Sequence, residues 1–168
     1  MWQPRPEPDP PRDGQESVWD YPRPAIAEAT ALHLEVVFAG TVVASSRRGV
    51  RTLETSHPPG YYFPPEDVVM EHLVRNRTTS SMCEWKGRAR YFDVVVGDRR
   101  AAAAAWCYPS PTDAFTILRD HVAFYPGAMD ECRVDGEVAR AQEGGFYGGW
   151  ISSHVAGPFK GAPGSRGW

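Results

Sequence analysis

The chain has 168 residues, 42% of them apolar, and a net charge of −3. That suffices for one domain with its own core, and it argues against nucleic acid as a partner, which needs a clustered basic surface. The three cysteines Cys83, Cys107 and Cys132 are widely spaced, form no Cys-x-x-Cys pair and imply neither a metal nor a cofactor.

The start, Met1-Trp2-Gln3-Pro4-Arg5-Pro6, lacks the apolar segment of a signal peptide. No apolar run approaches the roughly 18 residues of a membrane span. The expectation is a soluble, cytoplasmic protein with no membrane partner. Seven of the sixteen prolines fall in residues 1–24. Proline removes backbone donors and favours extended chain, so this stretch is expected to be an arm, disordered up to about Gly14. Trp19 and Tyr21 then give it a reason to dock against the domain.

The core domain is expected over residues 25–141. His33 to Phe38 and Thr41 to Ser46 flank Ala39-Gly40 and predict a hairpin. Val50 to Glu54 alternates, with Arg51 and Leu53 on one face and Val50, Thr52 and Glu54 on the other. His57-Pro58-Pro59-Gly60 predicts a loop, and Tyr61 to Phe63 a short strand. Pro64 to Val68 predicts a single helical turn. Val69 to Val74 is read as strand and Asn76 to Ser81 as loop. Arg88 to Val96 is the strongest strand in the chain. The alanines at 101–105, running into Trp106-Cys107-Tyr108, are read as its hairpin partner, against their helical propensity. Thr112 is placed to cap a short helix, Val122 to Tyr125 reads as strand, and Cys132 to Arg140 as a small hairpin turned at Asp135-Gly136.

Residues 142–168 hold eight of the sixteen glycines, with Phe146, Tyr147, Trp150, Phe159 and Trp168 among them. This C-terminal extension is expected to be partly pinned by its rings. The whole reads as a mainly β protein: a small single domain of two antiparallel sheets, an open sandwich, with one or two short helices and extended arms at both ends.

Leu53 to Pro59, Tyr61 to Val68, Cys83-Glu84-Trp85-Lys86-Gly87, Ala105 to Pro109 and Val122 to Tyr125 resemble, in order, the blocks of the domain of unknown function 427 family. This is a group of mostly bacterial proteins, some labelled nucleotidyltransferase-like. The resemblance covers roughly residues 34–138 and implies a compact all-β, tent-like domain of two sheets meeting at an angle. It implies no established substrate. Related folds carry zinc on two Cys-x-x-Cys pairs, which this chain lacks. Glu84 stands where many members show proline.

Function is sought between Arg51 and Tyr108, where acids, bases and aromatics are dense. Tyr61, Tyr62, Trp85, Tyr91, Trp106 and Tyr108 are the expected walls of a small-molecule pocket, with Arg51 and Lys86 as cationic anchors. Glu54 and His57, three residues apart, are the candidate acid–base pair. The ligand is expected to pair a flat or sugar-like body with an anionic group. Two alternatives stay open. One is an enzyme using Glu54 or His57. The other is an interaction module whose arms bind a partner or form a homodimer. Nucleotidyl transfer would need paired carboxylates for divalent metals, and no Asp-x-Asp is present.

Overall fold

The computed structural model describes residues 4–168. In chain order the strands are β1 Glu16–Ser17, β2 Ile26–Ala29, β3 Leu34–Phe38, β4 Thr41–Ser46, β5 Val50–Leu53, β6 Gly60–Tyr62, β7 Leu73–Cys83, β8 Gly87–Val96, β9 Arg99–Cys107, β10 Val122–Phe124, β11 Glu131–Val134, β12 Glu137–Val138, β13 Arg140–Ala141, β14 Trp150–Ile151 and β15 Val155–Ala156. Helix is confined to single 3-10 turns and the longer 3-10 segment Asp113–Leu118. The protein is mainly β, as expected.

Two four-stranded sheets dominate, ordered β10-β9-β8-β7 and β12-β11-β3-β4. A third, β2-β5-β6, abuts the first, because Phe63 and Val122 exchange backbone hydrogen bonds of 2.8 Å in both directions. Side-chain alternation then gives that extended sheet two faces. Tyr61, Phe63, Phe92, Ala105, Val122 and Phe124 point into the core shared with β3, β4 and β11, where Leu34, Val36, Phe38, Val43 and Val134 meet them. Tyr62, Tyr91, Trp106, Tyr108 and Ala123 point the opposite way, against Phe115 and Leu118.

Several local expectations need correction. Asn76 to Ser81 is not a loop. It belongs to the edge strand β7, whose register against β8 shifts between Asn76 and Ser80. Side-chain bonds replace the missing ladder there: Asn76 Oδ1 accepts from the Thr78 and Thr79 amides, and Asn76 donates to Asp93. Thr112 does not cap its 3-10 segment, since its hydroxyl donates to the Trp85 carbonyl instead. The alanine run, by contrast, is strand as read, paired with β8 and β10. A bulge in β9 is absorbed at Ala103, with φ +49°, whose amide donates to Asp93.

Both arms pack on the domain. β1 pairs in parallel with β15. Val18, Trp19 and Tyr21 share a small core with Leu53 and Val155, and Phe159 and Trp168 close over it. Trp19 donates its indole N–H to Pro158 O at 2.9 Å. Asp9, in the stretch expected to be disordered, donates its amide to Gly157 O; residues 1–3 of that stretch lie outside the described ones. Trp150 is fully buried against Tyr61 and Phe63.

Candidate functional site

The second face of the extended sheet carries the chemistry. A hollow of about 380 Å³ lies over Trp106, within the roughly 300–1,000 Å³ typical of small-molecule sites. Its floor is aromatic. Trp106 sits against Tyr125 at 4.4 Å between ring centroids and against Tyr91 at 6.4 Å. Tyr62 lies edge-on to Trp106 at 6.3 Å and accepts a long hydrogen bond from its indole N–H at 3.4 Å. Burial, and then the neighbouring Tyr62, push the Tyr108 phenol far up, so it stays a neutral donor. Tyr91 shares a 2.8 Å hydrogen bond with Ser81 on the edge strand.

Lys86 enters this hollow from the turn between β7 and β8, with Trp85 beside it. Burial works against its charge, but Tyr62, Cys83 and the Glu54 carboxylate outweigh burial, and the ammonium's pKa lies above its ordinary value. Lys86 is therefore a fixed cation and not a neutral nucleophile. It makes no ion pair with any described residue. Gly87 has φ +112°, the left-handed region that favours glycine, and a side chain there would press on the Ser110 carbonyl at 3.1 Å. The turn and this close packing both call for glycine.

Glu54 and His57 form the polar rim. His57 Nε2 lies 3.4 Å from Glu54 Oε2, and Arg23 from the N-terminal arm reaches the same oxygen at 3.4 Å. Burial alone would raise the Glu54 pKa; the contact with His57, and the charges of Lys86 and Arg23, hold it below the ordinary value. Glu54 is a carboxylate at neutral pH. The His57 tautomer is set by Gln142, a buried residue of the C-terminal extension. Gln142 Oε1 accepts from the Gly149 amide, so its Nε2 donates, both to Lys160 O at 2.8 Å and to His57 Nδ1 at 3.0 Å. The ring proton therefore sits on Nε2, facing Glu54. Ser56, immediately before His57, has φ +73° and is fully buried. Both arms hold it: its amide donates to Val18 O, and its carbonyl accepts from the Lys160 amide.

Of the residues singled out in the sequence, Glu54, His57, Tyr62, Trp85, Lys86, Tyr91, Trp106 and Tyr108 line this one hollow. Arg51 and Tyr61 do not. They are register partners on β5 and β6 and face away from it. Arg51 is neutralised by Glu16 and Glu28, both at 2.6 Å. Tyr61 packs in the main core, its phenol pushed by burial up to about 12. The alternation that put Thr52 and Glu54 opposite Arg51 implied the arginine's exclusion, and the adjacency of Tyr61 and Tyr62 allowed only one ring. Sequence reasoning missed Tyr125, Gln142, Phe146, Tyr147, Gly148 and Lys160, all at the hollow. Tyr125 ends the strand read over Val122 to Tyr125; for the others the only signal was the aromatic and glycine content of the extension.

A wider groove of about 770 Å³ runs between residues 9–15 and the strands β14 and β15. It is lined by charges of both signs, Asp9, Arg12, Asp13, Glu137 and Arg140, with Phe159 as the one aromatic among its described lining residues. Among the described residues no three His, Cys, Asp or Glu side chains come together as a metal-binding group. Among them, too, no helix is long and apolar enough to cross a membrane.

Fold and hollow together define a mainly antiparallel β domain with an aromatic cavity on the sheet face away from its core. Residues 26–135 match the family model described as Domain of unknown function (DUF427), and the chain belongs to that family. None of the curated proteins matches it.

Proposed function

We propose that the hollow over Trp106 binds a small molecule with a flat body and an anionic group. The observation that carries this reading is Lys86: a charged ammonium with no ion-pair partner among the described residues, set among aromatic rings. Lys86 is half-buried, so water screens its charge only in part, and a ligand anion would add the missing counter-charge. Glu54, the carboxylate whose charge supports Lys86, is already engaged by His57 and Arg23. The rings of Trp106, Tyr91 and Tyr125 offer a flat apolar surface for the ligand's body.

Anilinonaphthalene sulfonate, a fluorescent flat anion, is a suitable probe. Saturable binding is expected, with Lys86→Ala and Trp106→Ala each weakening it by about tenfold or more, equivalent to about 1.4 kcal/mol. Equal binding by wild type and both variants would place the probe elsewhere and sink the reading.

The Glu54–His57 pair favours a second reading, in which the same hollow is an active site with Glu54 as proton acceptor. Its ionised state and its Nε2–H neighbour suit that role. Glu54→Gln separates the two readings, because a binding site keeps its ligand while an enzyme loses turnover. The interaction-module reading has less support, since Trp19, Tyr21 and Trp150 are spent inside the chain.

A further inference from the structure

The segment Gly144-Gly145-Phe146-Tyr147-Gly148-Gly149 lies beyond the stretch matched by the family model, yet it lines the hollow. It is bolted at both ends. On one side Gln142 is 4% exposed and bonds to His57, Lys160 and Gly149. On the other, Gly148 and Gly149 are pressed flat. A side chain on Gly148 would stand 2.3 Å from the Trp106 ring, and one on Gly149 would stand 2.6 Å from Pro58. Trp150 follows at once, its amide bonded to Pro59 O.

Between these anchors the chain is held lightly. The Phe146 amide bonds only to Gly144 O, within the turn, and its carbonyl receives a 3.5 Å contact from the Tyr125 hydroxyl. The Phe146 ring is 71% exposed, although it stands at the mouth of an aromatic cavity. Its one ring neighbour among the described residues is Tyr147, which in turn packs edge-on against His57 at 5.2 Å. Gly144 and Gly145 have φ of +102° and +64°, and the space around the missing Gly145 side chain is open. A side chain on Gly144 would stand 3.2 Å from the Gly161 carbonyl, so the backbone freedom of the segment centres on Gly145, next to Phe146.

We propose that residues 144–147 form a strap that folds Phe146 over a flat ligand held in the hollow, so that the extension decides what the family domain retains. The inference rests on the small-molecule reading above. The family domain supplies floor and charge, through Trp106, Tyr91 and Lys86. The extension supplies the covering ring and, through Gln142, the orientation of His57. A flat body presents a face to Phe146, and a bulky saturated one keeps the strap open.

Two measurements on the full chain test this. Amide hydrogen exchange of the free protein is expected to be fast at 144–147 and slow at 149–151. Slow exchange at 144–147, equal to that at 149–151, would show a strap locked in place and overturn the proposal without any ligand. Stopped-flow binding of anilinonaphthalene sulfonate is the second measurement. Phe146→Ala is expected to speed dissociation about tenfold while association stays near wild type, the usual signature of a lost retaining contact. Phe146→Trp is expected to restore slow dissociation. If Lys86→Ala weakens the probe but Phe146→Ala leaves both rates unchanged, the hollow stands and the strap falls. If neither Lys86→Ala nor Trp106→Ala changes binding, the small-molecule reading fails and takes the strap with it.

Discussion

The same strands present two unlike faces. On one, Phe63, Phe92, Val122 and Phe124 close a core with β3, β4 and β11 that holds few polar side-chain atoms. On the other, one residue along each strand, Tyr62, Tyr91 and Trp106 carry hydroxyl and indole groups and stand beside Lys86, Glu54 and His57. Both faces are buried, so burial alone does not mark function. The difference lies in what the buried groups are. In the core they are almost entirely apolar. On the far face a charged amine and several polar rings converge on a hollow.

That contrast can be broken first on the dry side. Trp150→Ala removes a fully buried ring that contacts Tyr61 and Phe63. A loss of about 3–5 kcal/mol is expected in denaturant titration. By contrast, Lys86→Met is expected to change stability by less than about 1.5 kcal/mol, because a similar volume replaces an unpaired charge, while binding of an anionic probe is lost. A large stability loss in Lys86→Met would mean that the ammonium has a structural partner and that the two faces are alike.

Arg51→Met sharpens the comparison from the opposite direction. It strips Glu16 and Glu28 of their half-buried partner. A cost of about 1–3 kcal/mol is expected, with probe affinity unchanged, since Arg51 lies outside the hollow. Glu54 gives a pH test. Its pKa is held below the ordinary 4.5, so its contribution to stability is present above that value and is lost as pH falls through the lowered pKa. Wild type and Glu54→Gln melting curves are expected to differ most near neutrality and to converge below pH 4.5. The smallest effect is reserved for Phe146→Ala. An exposed ring should change stability by less than about 0.5 kcal/mol, read from the thermal midpoint.

Much of this architecture was legible from local pattern. Alternation in Val50 to Glu54 and in Tyr61-Tyr62-Phe63 placed the right residues on the right face, because a strand offers no third direction. The alanine run was readable as strand only through its neighbours: a turn at Gly97-Asp98 and the aromatics that follow. Two kinds of information were not local. The long edge strand β7 looks like loop because its exposed positions are polar and Asn76 side-chain bonds replace the missing ladder. The wall formed by Gln142, Phe146, Tyr147 and Lys160 depends on how a glycine-rich segment returns to a hollow begun about ninety residues earlier, at Glu54. Arg51 was drawn into the site by charge density in the sequence, which does not reveal the face on which a charge emerges.

The parallel pairing of Glu16–Ser17 with Val155–Ala156 has a consequence for biosynthesis. The second partner is translated 139 residues after the first. Until then Trp19 lacks its acceptor Pro158, and Ser56 lacks the Lys160 amide. The rim of the hollow is therefore complete only once residues 142–160 have been made. The same stretch brings Trp150, so the main core too waits for the end of the chain.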